Sequence, residues 1–181
     1  GKLVPYSVYD VTLNEALTYL SLGADASEMA SDDIWRWWQR LGREKYRDAE
    51  QILPLCDCGG SNGYRQHRFK EQLHRLACRF ERPIRVAHYP PGCSKYNLIE
   101  HRLFCHVTRA LQATVLTTVE LAKRLIARTQ TATGLRVLVE VARKTYLAGE
   151  QVADRFFESW PIRNHPRLPE LNYTALNKSL P

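Results

Sequence analysis

Segments with strand-like and helix-like apolar patterns alternate along this chain, and that order restricts the fold more than any other feature of the sequence. The patterns predict a β-hairpin at 3–9 and 16–22, a helix at 25–42 and a strand at 52–56. A basic helix at 65–80, a strand at 84–88 and a further helix from about 95 follow. The patterns then predict a helix at 118–128, a strand at 135–141, a short helix at 151–159 and an extended segment at 161–169. A mixed α/β fold is therefore expected.

Individual residues mark the ends of several predicted elements. Asp25 and Glu28 have the spacing of a capping box at the start of the first helix, and Gly42 ends that helix. Ser94 is well placed to cap the helix that starts near Lys95. Three tryptophans of the first helix are expected to pack against the sheet, namely Trp35, Trp37 and Trp38.

The chain has 181 residues, 44% of them apolar, which is enough to bury one sizeable core. We expect one domain, with a core at residues 1–130 and a C-terminal extension of it at 131–181. No apolar run approaches the roughly 18 residues of a membrane-spanning helix, and no signal-peptide pattern is present, so the cytoplasm is the expected compartment. The odd number of cysteines favours free thiols, and they are Cys56, Cys58, Cys78, Cys93 and Cys105.

The formal net charge is +7, and the positive charge is concentrated in the later part of the chain. Residues 1–56 contain 6 Lys and Arg against 9 Asp and Glu, whereas residues 57–181 contain 20 against 10. A basic surface attracts polyanions such as nucleic acids, because phosphate contacts release counterions. The same composition also suits an ordinary solubilising surface, so charge by itself does not decide the partner.

Two acidic residues follow predicted elements in a way that suits metal chemistry. Asp57 comes directly after the strand 52–56, and Glu100 lies about one and a half turns into the helix that starts near Lys95. These carboxylates could share a pair of divalent ions, which stabilise the entering and leaving oxygens of phosphoryl transfer. Surface acids are common, and the spacing alone leaves that simpler interpretation open.

The order of elements and acids is that of an RNase H-like fold with one departure. Such a fold begins with three antiparallel strands, and two precede the first predicted helix here. We therefore predict an RNase H-like mixed sheet flanked by helices, with its first strand missing. The chain begins at Gly1 rather than Met, and we interpret it as a fragment of a longer product.

Two longer blocks of sequence surround the acids, DCGGSNG at Asp57–Gly63 and HYPPGCSKYNLIEHRLF at His88–Phe104. The second block is highly specific, because it joins a Pro-Pro-Gly turn, a Lys-x-Asn element and a Glu-His-Arg helix in fixed register. The chain resembles the Rhodopirellula-type transposase family, a group of DDE-type transposases of bacterial insertion sequences. The resemblance extends over nearly the whole chain through shorter blocks at 8–10, 34–38, 133–135 and 172–174.

The resemblance implies that Asp57 is the second acid of a catalytic triad and Glu100 the third, with the first acid on a strand upstream of Gly1. Asp10 is a tempting substitute, but its place in the resemblance favours a turn residue. Pro54 departs from the family pattern, because it removes a hydrogen-bond donor from what should be a central strand and predicts a bulge or a damaged element. A truncated or decayed copy, inactive by itself, is an open alternative.

Basic and polar residues near the acids are expected to contact DNA, with a solvated helix face as the alternative. Asn97 lies three residues before Glu100 and could instead orient that carboxylate. The candidates are Arg65, Arg68, Lys95, Asn97 and Arg102.

The resemblance implies divalent-metal-dependent DNA cleavage followed by strand transfer, with Mg²⁺ or Mn²⁺ held by Asp57 and Glu100. The implied partners are DNA at the transposon ends and at the target, together with further copies of the chain in a transposition complex. No membrane partner is implied. Two alternatives are a nuclease of the same fold that cuts without strand transfer, and a non-catalytic DNA-binding remnant.

A zinc site is a separate alternative for the helix that contains Glu100. His101 and Cys105 are four residues apart on one helix, a spacing that can hold zinc. His88, Cys93 and His106 are close to them in sequence. The chain has no Cys-x-x-Cys pair to accompany them, so the magnesium hypothesis is preferred.

Overall fold

The chain folds into two β-sheets flanked by helices, and the computed structural model describes residues 3–23, 26–147, 149 and 151–178. The strands are β1 Leu3–Asp10, β2 Glu15–Leu22, β3 Leu55–Cys56, β4 Ile84–His88, β5 Arg136–Val141, β6 Ile162–Asn164 and β7 Asn172–Ala175. The helices are α1 Ser27–Trp37, α2 Arg43–Lys45, α3 His67–Phe80, α4 Cys105–Leu111, α5 Val119–Ala127 and α6 Asp154–Ser159. The π-helical segments Trp38–Gly42 and Glu100–Phe104 lead into α2 and α4, and 3₁₀ turns lie at Gly60–Asn62 and Ser94–Tyr96.

The first sheet has the strand order β1-β2-β5. The predicted hairpin is confirmed, because β1 and β2 pair antiparallel along their whole length. β5 pairs parallel with the other side of β2. Successive side chains of a strand point to opposite faces, and β2 is buried on both: Leu17 packs in one apolar cluster, Ala16 and Leu20 in another.

The second sheet has the order β3-β4-β7-β6. β3 is parallel to β4, whereas β7 is antiparallel to both of its neighbours. The sequence predicted only an extended segment at 161–169, and β7 was missed. The pattern of β7 is difficult to recognise because polar Thr174 is buried beside Tyr173 and Ala175. Two mixed sheets with flanking helices are consistent with the RNase H-like class expected from the sequence.

The strand predicted at 52–56 is shortened by Pro54, as expected of a damaged element. The Arg85 and Ala87 N–H groups of β4 donate to the carbonyls of Ile52 and Pro54, at 2.9 and 3.1 Å. Pro54 has no N–H to return a bond, so regular pairing is confined to Leu55–Cys56. Within the described residues β3 is at the edge of its sheet rather than in the centre.

α1 packs against α3 and against the first sheet. The helix-like apolar pattern of residues 25–42 is confirmed here, because Ala30, Ile34 and Trp37 are buried on one side of the helix. The helix starts at Ser27 with Ala26 in the N-cap position, and Asp25 of the expected capping box lies outside the described residues. The tryptophans pack as expected: Trp37 and Trp38 are buried, and the ring of Trp35 lies 5.4 Å from that of Phe80.

The other face of the first sheet is covered by the helical stretch 98–111 and by α5. Leu103 and Val107 pack there against Ala122 and Ile126, with Val139 of β5 below them. The first sheet is therefore enclosed by helices on both faces. In the described part of the chain, no helix has the length and apolar character required to cross a bilayer.

A groove separates the two sheets, between the outer edge of β1 and the outer edge of β3. One part, of about 540 Å³, is lined by 3–7 together with Leu55, Cys56 and Asp57. The other part, of about 470 Å³, is lined by 6–12 and 51–56. Among the described residues, β1 pairs only with β2, and β3 pairs only with β4. Each wall of the groove is therefore an open strand edge.

Candidate active site

Asp57 is the first residue after β3, at the carboxyl end of that strand. Its carbonyl oxygen lies 2.8 Å from Nδ1 of His88, which ends the parallel strand β4. A carbonyl can only accept, so Nδ1 of His88 holds the proton. Burial lowers the pKa of His88 and favours the neutral ring, whose Nε2 then accepts from the Tyr173 hydroxyl at 3.2 Å. His88 thus fixes the backbone that presents the Asp57 side chain.

Asn97 connects Asp57 to the helical stretch 98–111. Its side chain is buried, and Nδ2 donates to Oδ1 of Asp57 at 2.7 Å. Its backbone N–H donates to the Ser94 carbonyl at 2.8 Å, and its own carbonyl accepts from the Glu100 N–H at 3.1 Å. The expected roles of Asn97 were contact with DNA or orientation of Glu100. Its amide instead donates to Asp57, and it is therefore placed to orient that carboxylate.

Glu100 lies in the first turn of its helix, not one and a half turns into it. Ser94 does not cap this helix, because Ser94–Tyr96 forms a separate 3₁₀ turn and helical residues begin at 98. Burial raises the pKa of the Glu100 carboxyl, and the negative charge of Asp57 raises it further, while His101 acts in the opposite direction. The two acids therefore act on each other electrostatically. A divalent ion would relieve this repulsion, and carboxylate oxygens suit Mg²⁺ or Mn²⁺.

The loop after Asp57 depends on glycine at two positions. Gly60 has φ of +70°, a left-handed conformation that side chains rarely adopt. A Cβ on Gly63 would lie 2.8 Å from the Cys58 carbonyl oxygen, which is too close for any side chain. The loop is also fixed to the start of α1, because Ser27 Oγ donates to the Ser61 carbonyl at 2.6 Å. The backbone next to Asp57 is thus closely packed.

Three of the predicted DNA-contacting residues are exposed at this end of the molecule: Arg65, Lys95 and Arg102. The Arg65 guanidinium lies 5.0 Å from the centre of the Tyr64 ring, and the Lys95 ammonium 5.1 Å from that of Tyr96. Rings beside the charges restrict the side chains without neutralising them. These three cations are therefore accessible to a phosphate group that approaches from the solvent.

Arg68 is placed differently from the expectation. Its side chain is only 16% exposed and forms 2.7 Å ion pairs with Glu28 of α1 and Glu71 of α3. Because α1 and α3 pack against each other, this guanidinium is used inside the protein to join two helices. Two carboxylates bind its guanidinium, so this arrangement does not support the expected contact of Arg68 with DNA.

Asp10 is a turn residue, as interpreted from the sequence. Its Oδ1 accepts the N–H groups of Thr12 and Leu13, both at 3.0 Å, and the Tyr46 hydroxyl donates to the same carboxylate. Asp57 borders the part of the groove beside 3–7, whereas Asp10 borders the part beside 51–53. The two carboxylates therefore lie towards opposite ends of the groove.

The zinc alternative has no support in the described ranges. Nε2 of His101 is bonded to the Lys95 carbonyl, and the Cys105 thiol donates to the His101 carbonyl at 2.8 Å. His88 is bonded to Asp57 and Tyr173. No group of three or more His, Cys, Asp and Glu side chains gathers as metal ligands among the residues that the structure describes.

Two supporting residues were not assigned their roles from the sequence. His88 appeared in a block of the resemblance and as a possible zinc ligand, and Tyr173 appeared only in a short block of the resemblance. Both belong to β-strands whose ends meet near Asp57, namely β4 and β7. The proximity of His88 and Tyr173 follows only when β7 is known to pair antiparallel with β4.

Comparison with known proteins agrees with the resemblance seen in the sequence. Residues 1–177 match the family model described as the Rhodopirellula transposase DDE domain. No curated protein matches the chain. No solved structure matches it either. Because the family model spans almost the entire chain and includes Asp57 and Glu100, the chain belongs to the Rhodopirellula transposase DDE domain family.

Proposed function

We propose that this chain is part of a DDE transposase catalytic core that cleaves DNA and transfers the cut strand, with Asp57 and Glu100 as metal-binding acids. The observation that supports this most directly is the 2.7 Å hydrogen bond from Asn97 to Asp57. It ties the carboxyl end of β3 to the first helical turn, where Glu100 lies. The charge of Asp57 acts on the Glu100 carboxyl, as expected if both face one cation.

Bound Mg²⁺ or Mn²⁺ would activate a water or a 3′-hydroxyl and stabilise negative charge on the phosphate. The chain itself contributes position and charge. Asp57 and Glu100 provide oxygen ligands, Asn97 and His88 hold Asp57 in place, and the loop at 59–63 allows backbone to approach the ligand closely.

The proposal includes a further strand, with the first acid of the triad, in the groove between β1 and β3. An RNase H-like fold implies that this strand runs antiparallel to β1 and parallel to β3. The groove supports that direction, because the start of β1 lies beside the end of β3. Carboxyl ends of parallel strands lie at the same edge of a sheet, so an acid at the end of this strand would lie beside Asp57. The strand would join the two sheets into one.

DNA would approach the acids along the surface formed by Arg65, Lys95 and Arg102. All three are exposed, and each lies within eight positions of Asp57 or Glu100 in the sequence. Contacts of this type hold the phosphate backbone in register and do not read bases. Residues 131–181 extend the core at 1–130 rather than form a separate domain, since β5, β6 and β7 supply strands to both sheets. Further copies of the chain would assemble with it on the DNA.

The test uses the protein with its upstream coding region, a transposon-end duplex and Mg²⁺ or Mn²⁺. Strand joining is expected, and Asp57→Asn or Glu100→Gln should abolish both cleavage and joining. Glu120→Gln is the matched control, because Glu120 is exposed on α5. Cleavage without joining would indicate a nuclease instead of a transposase. Salt-sensitive DNA binding without either reaction would indicate a non-catalytic remnant. Full activity of Asp57→Asn would contradict the site.

A further inference from the structure

A second basic surface lies at the opposite end of the second sheet from Asp57. Asp57 and His88 are at the carboxyl ends of β3 and β4, whereas Arg82 lies before the amino end of β4. The strand β4 between them rises roughly 3.3 Å per residue from Ile84 to His88, so its two ends are about 13 Å apart. The surface is therefore distinct from the candidate active site.

This surface is an open concavity of about 830 Å³, referred to below as the helix-end concavity. Cations outnumber acids in its lining, with Glu44 and Glu81 as the acids. Its basic residues are Arg40, Arg43, Lys45, Arg47, Arg79 and Arg82, and its aromatic residues are Trp35, Trp38 and Phe80.

Two segments that are distant in sequence form the helix-end concavity. One is the stretch 38–47 after α1, and the other is the C-terminal end of α3. Arg82 fastens them together, because its Nη1 donates to the Ala49 carbonyl at 2.7 Å and lies within 3.4 Å of the Tyr46 carbonyl. The two segments that carry the cations are therefore held next to each other.

Stacking on tryptophan orients two of the guanidinium groups. Cζ of Arg79 lies 3.9 Å from the centre of the Trp35 ring, and Cζ of Arg82 lies 5.2 Å from that of Trp38. A stacked guanidinium keeps the N–H groups on its edge available for hydrogen bonds, in a fork that matches phosphate oxygens. Arg79 therefore presents an oriented donor, while Arg82 uses much of its fork on carbonyls.

Several cations of the concavity have no carboxylate partner. Arg40 pairs with Glu140 at 2.7 Å, and Lys45 pairs with Glu15 at 2.9 Å. Within the described ranges, no ion pair involves Arg43, Arg47 or Arg79, and all three are exposed. An external anion can bind to them without breaking an internal contact.

We propose that the helix-end concavity binds the phosphate backbone of a second DNA segment. The choice of DNA as partner rests on the proposed function, but the site uses neither Asp57 nor Glu100. Closely spaced guanidinium groups suit successive phosphates better than isolated carboxylates, because each fork can accept a phosphate in a bidentate manner. Backbone contacts of this kind position a duplex and do not select its sequence.

The charge distribution in the sequence concealed this surface. Residues 1–56 have a net negative charge, yet five of their six Lys and Arg lie between 36 and 47. Folding brings four of these, Arg40, Arg43, Lys45 and Arg47, next to Arg79 and Arg82 of the later, basic part. The net negative charge of residues 1–56 therefore does not reveal the basic segment at 36–47.

The test is the salt dependence of DNA binding by this chain, measured by fluorescence anisotropy with a labelled duplex over a range of NaCl concentrations. The double variant Arg43→Ala/Arg47→Ala should reduce the slope of log affinity against log salt by about 2, since each phosphate contact contributes about 1. Lys123→Ala/Arg124→Ala is the matched control, because it removes the same charge from exposed positions on α5. Circular dichroism checks the fold of both variants.

A second measurement does not depend on variants. Trypsin cleaves after exposed Arg and Lys, and bound DNA should slow cleavage after Arg43 and Arg47 more than after Lys123. An unchanged salt slope, an equal loss in the control, or no protection from trypsin overturns the proposal. If Arg43→Ala/Arg47→Ala lowers the affinity for polyglutamate but not the affinity for DNA, the proposal is also overturned, and the partner is an acidic protein. Asp57→Asn/Glu100→Gln tests the catalytic proposal alone, because neither residue lines the helix-end concavity, so failure of either proposal is seen separately.

Discussion

Asn97 and Asp57 are 40 positions apart in sequence, and Nδ2 of the amide donates to Oδ1 of the carboxylate at 2.7 Å. Asn97 is buried, so its orientation is fixed by packing as well as by this bond. The remaining carboxylate oxygen, Oδ2, is left for another ligand. A single amide thus sets the direction in which Asp57 presents its charge.

Asn97→Ala is expected to weaken binding of Mn²⁺ and to lower the free energy of unfolding by about 1.5–3 kcal/mol, the range for a hydrogen bond to a charged group. The loss follows because Asp57 becomes free to rotate. Calorimetric titration with Mn²⁺ and urea denaturation measure the two effects. Asn164→Ala is the control, because Asn164 is exposed on β6. Unchanged affinity in Asn97→Ala would show that Asn97 does not position the site.

Gly63→Ala is expected to disturb the loop after Asp57, because its Cβ would lie 2.8 Å from the Cys58 carbonyl oxygen and 3.3 Å from that of Gly60. Backbone must move to relieve this contact, at a cost of about 1–3 kcal/mol. Gly59→Ala is the matched control, since nothing lies within 4 Å of a Cβ there. Thermal melting and Mn²⁺ titration compare the two. Equal behaviour of both variants would exclude the steric explanation.

Asp33→Asn is expected to stabilise the protein at neutral pH, because an amide is buried without having to bind a proton. While the native carboxyl stays protonated, that cost is about 1.4 kcal/mol for each pH unit above the pKa of the unfolded chain. Asp33 is buried in α1, and neither carboxylate oxygen has a hydrogen-bond partner among the described residues. Burial raises the pKa of Asp33 well above its ordinary value, opposed by Arg36 and assisted by Asp32 and Glu140. Urea denaturation of both proteins at several pH values measures the difference.

The sign of this effect follows from proton binding. An unfolded chain releases the Asp33 proton near pH 3.9, whereas the native protein keeps it to higher pH. The free energy of unfolding therefore falls as pH rises above about 4, until the native carboxyl also ionises. In Asp33→Asn this fall should be smaller. If the free energies of unfolding of the unsubstituted protein and of Asp33→Asn differ by the same amount at every pH, Asp33 is not protonated in the native state.

Glu71→Ala is expected to lower the free energy of unfolding by about 3 kcal/mol or more, whereas Arg75→Ala should lower it by less than about 1 kcal/mol. The side chain of Glu71 is 3% exposed and pairs with Arg68 and Arg75, each at 2.7 Å. Its removal leaves the enclosed Arg68 guanidinium with one carboxylate fewer, while Arg75 is 45% exposed. Urea denaturation tests this, and equal losses would contradict the distinction between enclosed and exposed partners.

Local patterns were sufficient for the elements that depend on neighbouring residues. The hairpin, the buried stripe of α1 and the helix α5 follow from alternation or helical spacing, and all three were predicted within a few residues. The start of the helix before Glu100 was placed too early, because Ser94 had the chemistry of a cap but forms a 3₁₀ turn. A cap residue alone does not define where a helix begins.

Long-range pairing explains what the sequence could not predict. Arg68 had every property of a surface cation, but its partner Glu28 is 40 positions away. Tyr173 could be connected with His88 only once β7 was known to pair with β4. The motif blocks located Asp57 and Glu100, whose catalytic roles stay predictions, whereas the residues that hold them depend on the assembled sheets.

The outer edges of β1 and β3 have a consequence for handling the isolated chain. Unpaired N–H and C=O groups along an exposed strand are a template for hydrogen bonding to any other extended backbone. Copies of this chain therefore have a route to edge-to-edge aggregation that becomes more important as concentration rises. Occupying the groove with a strand would close these two edges, so solubility and completion of the sheet should improve together.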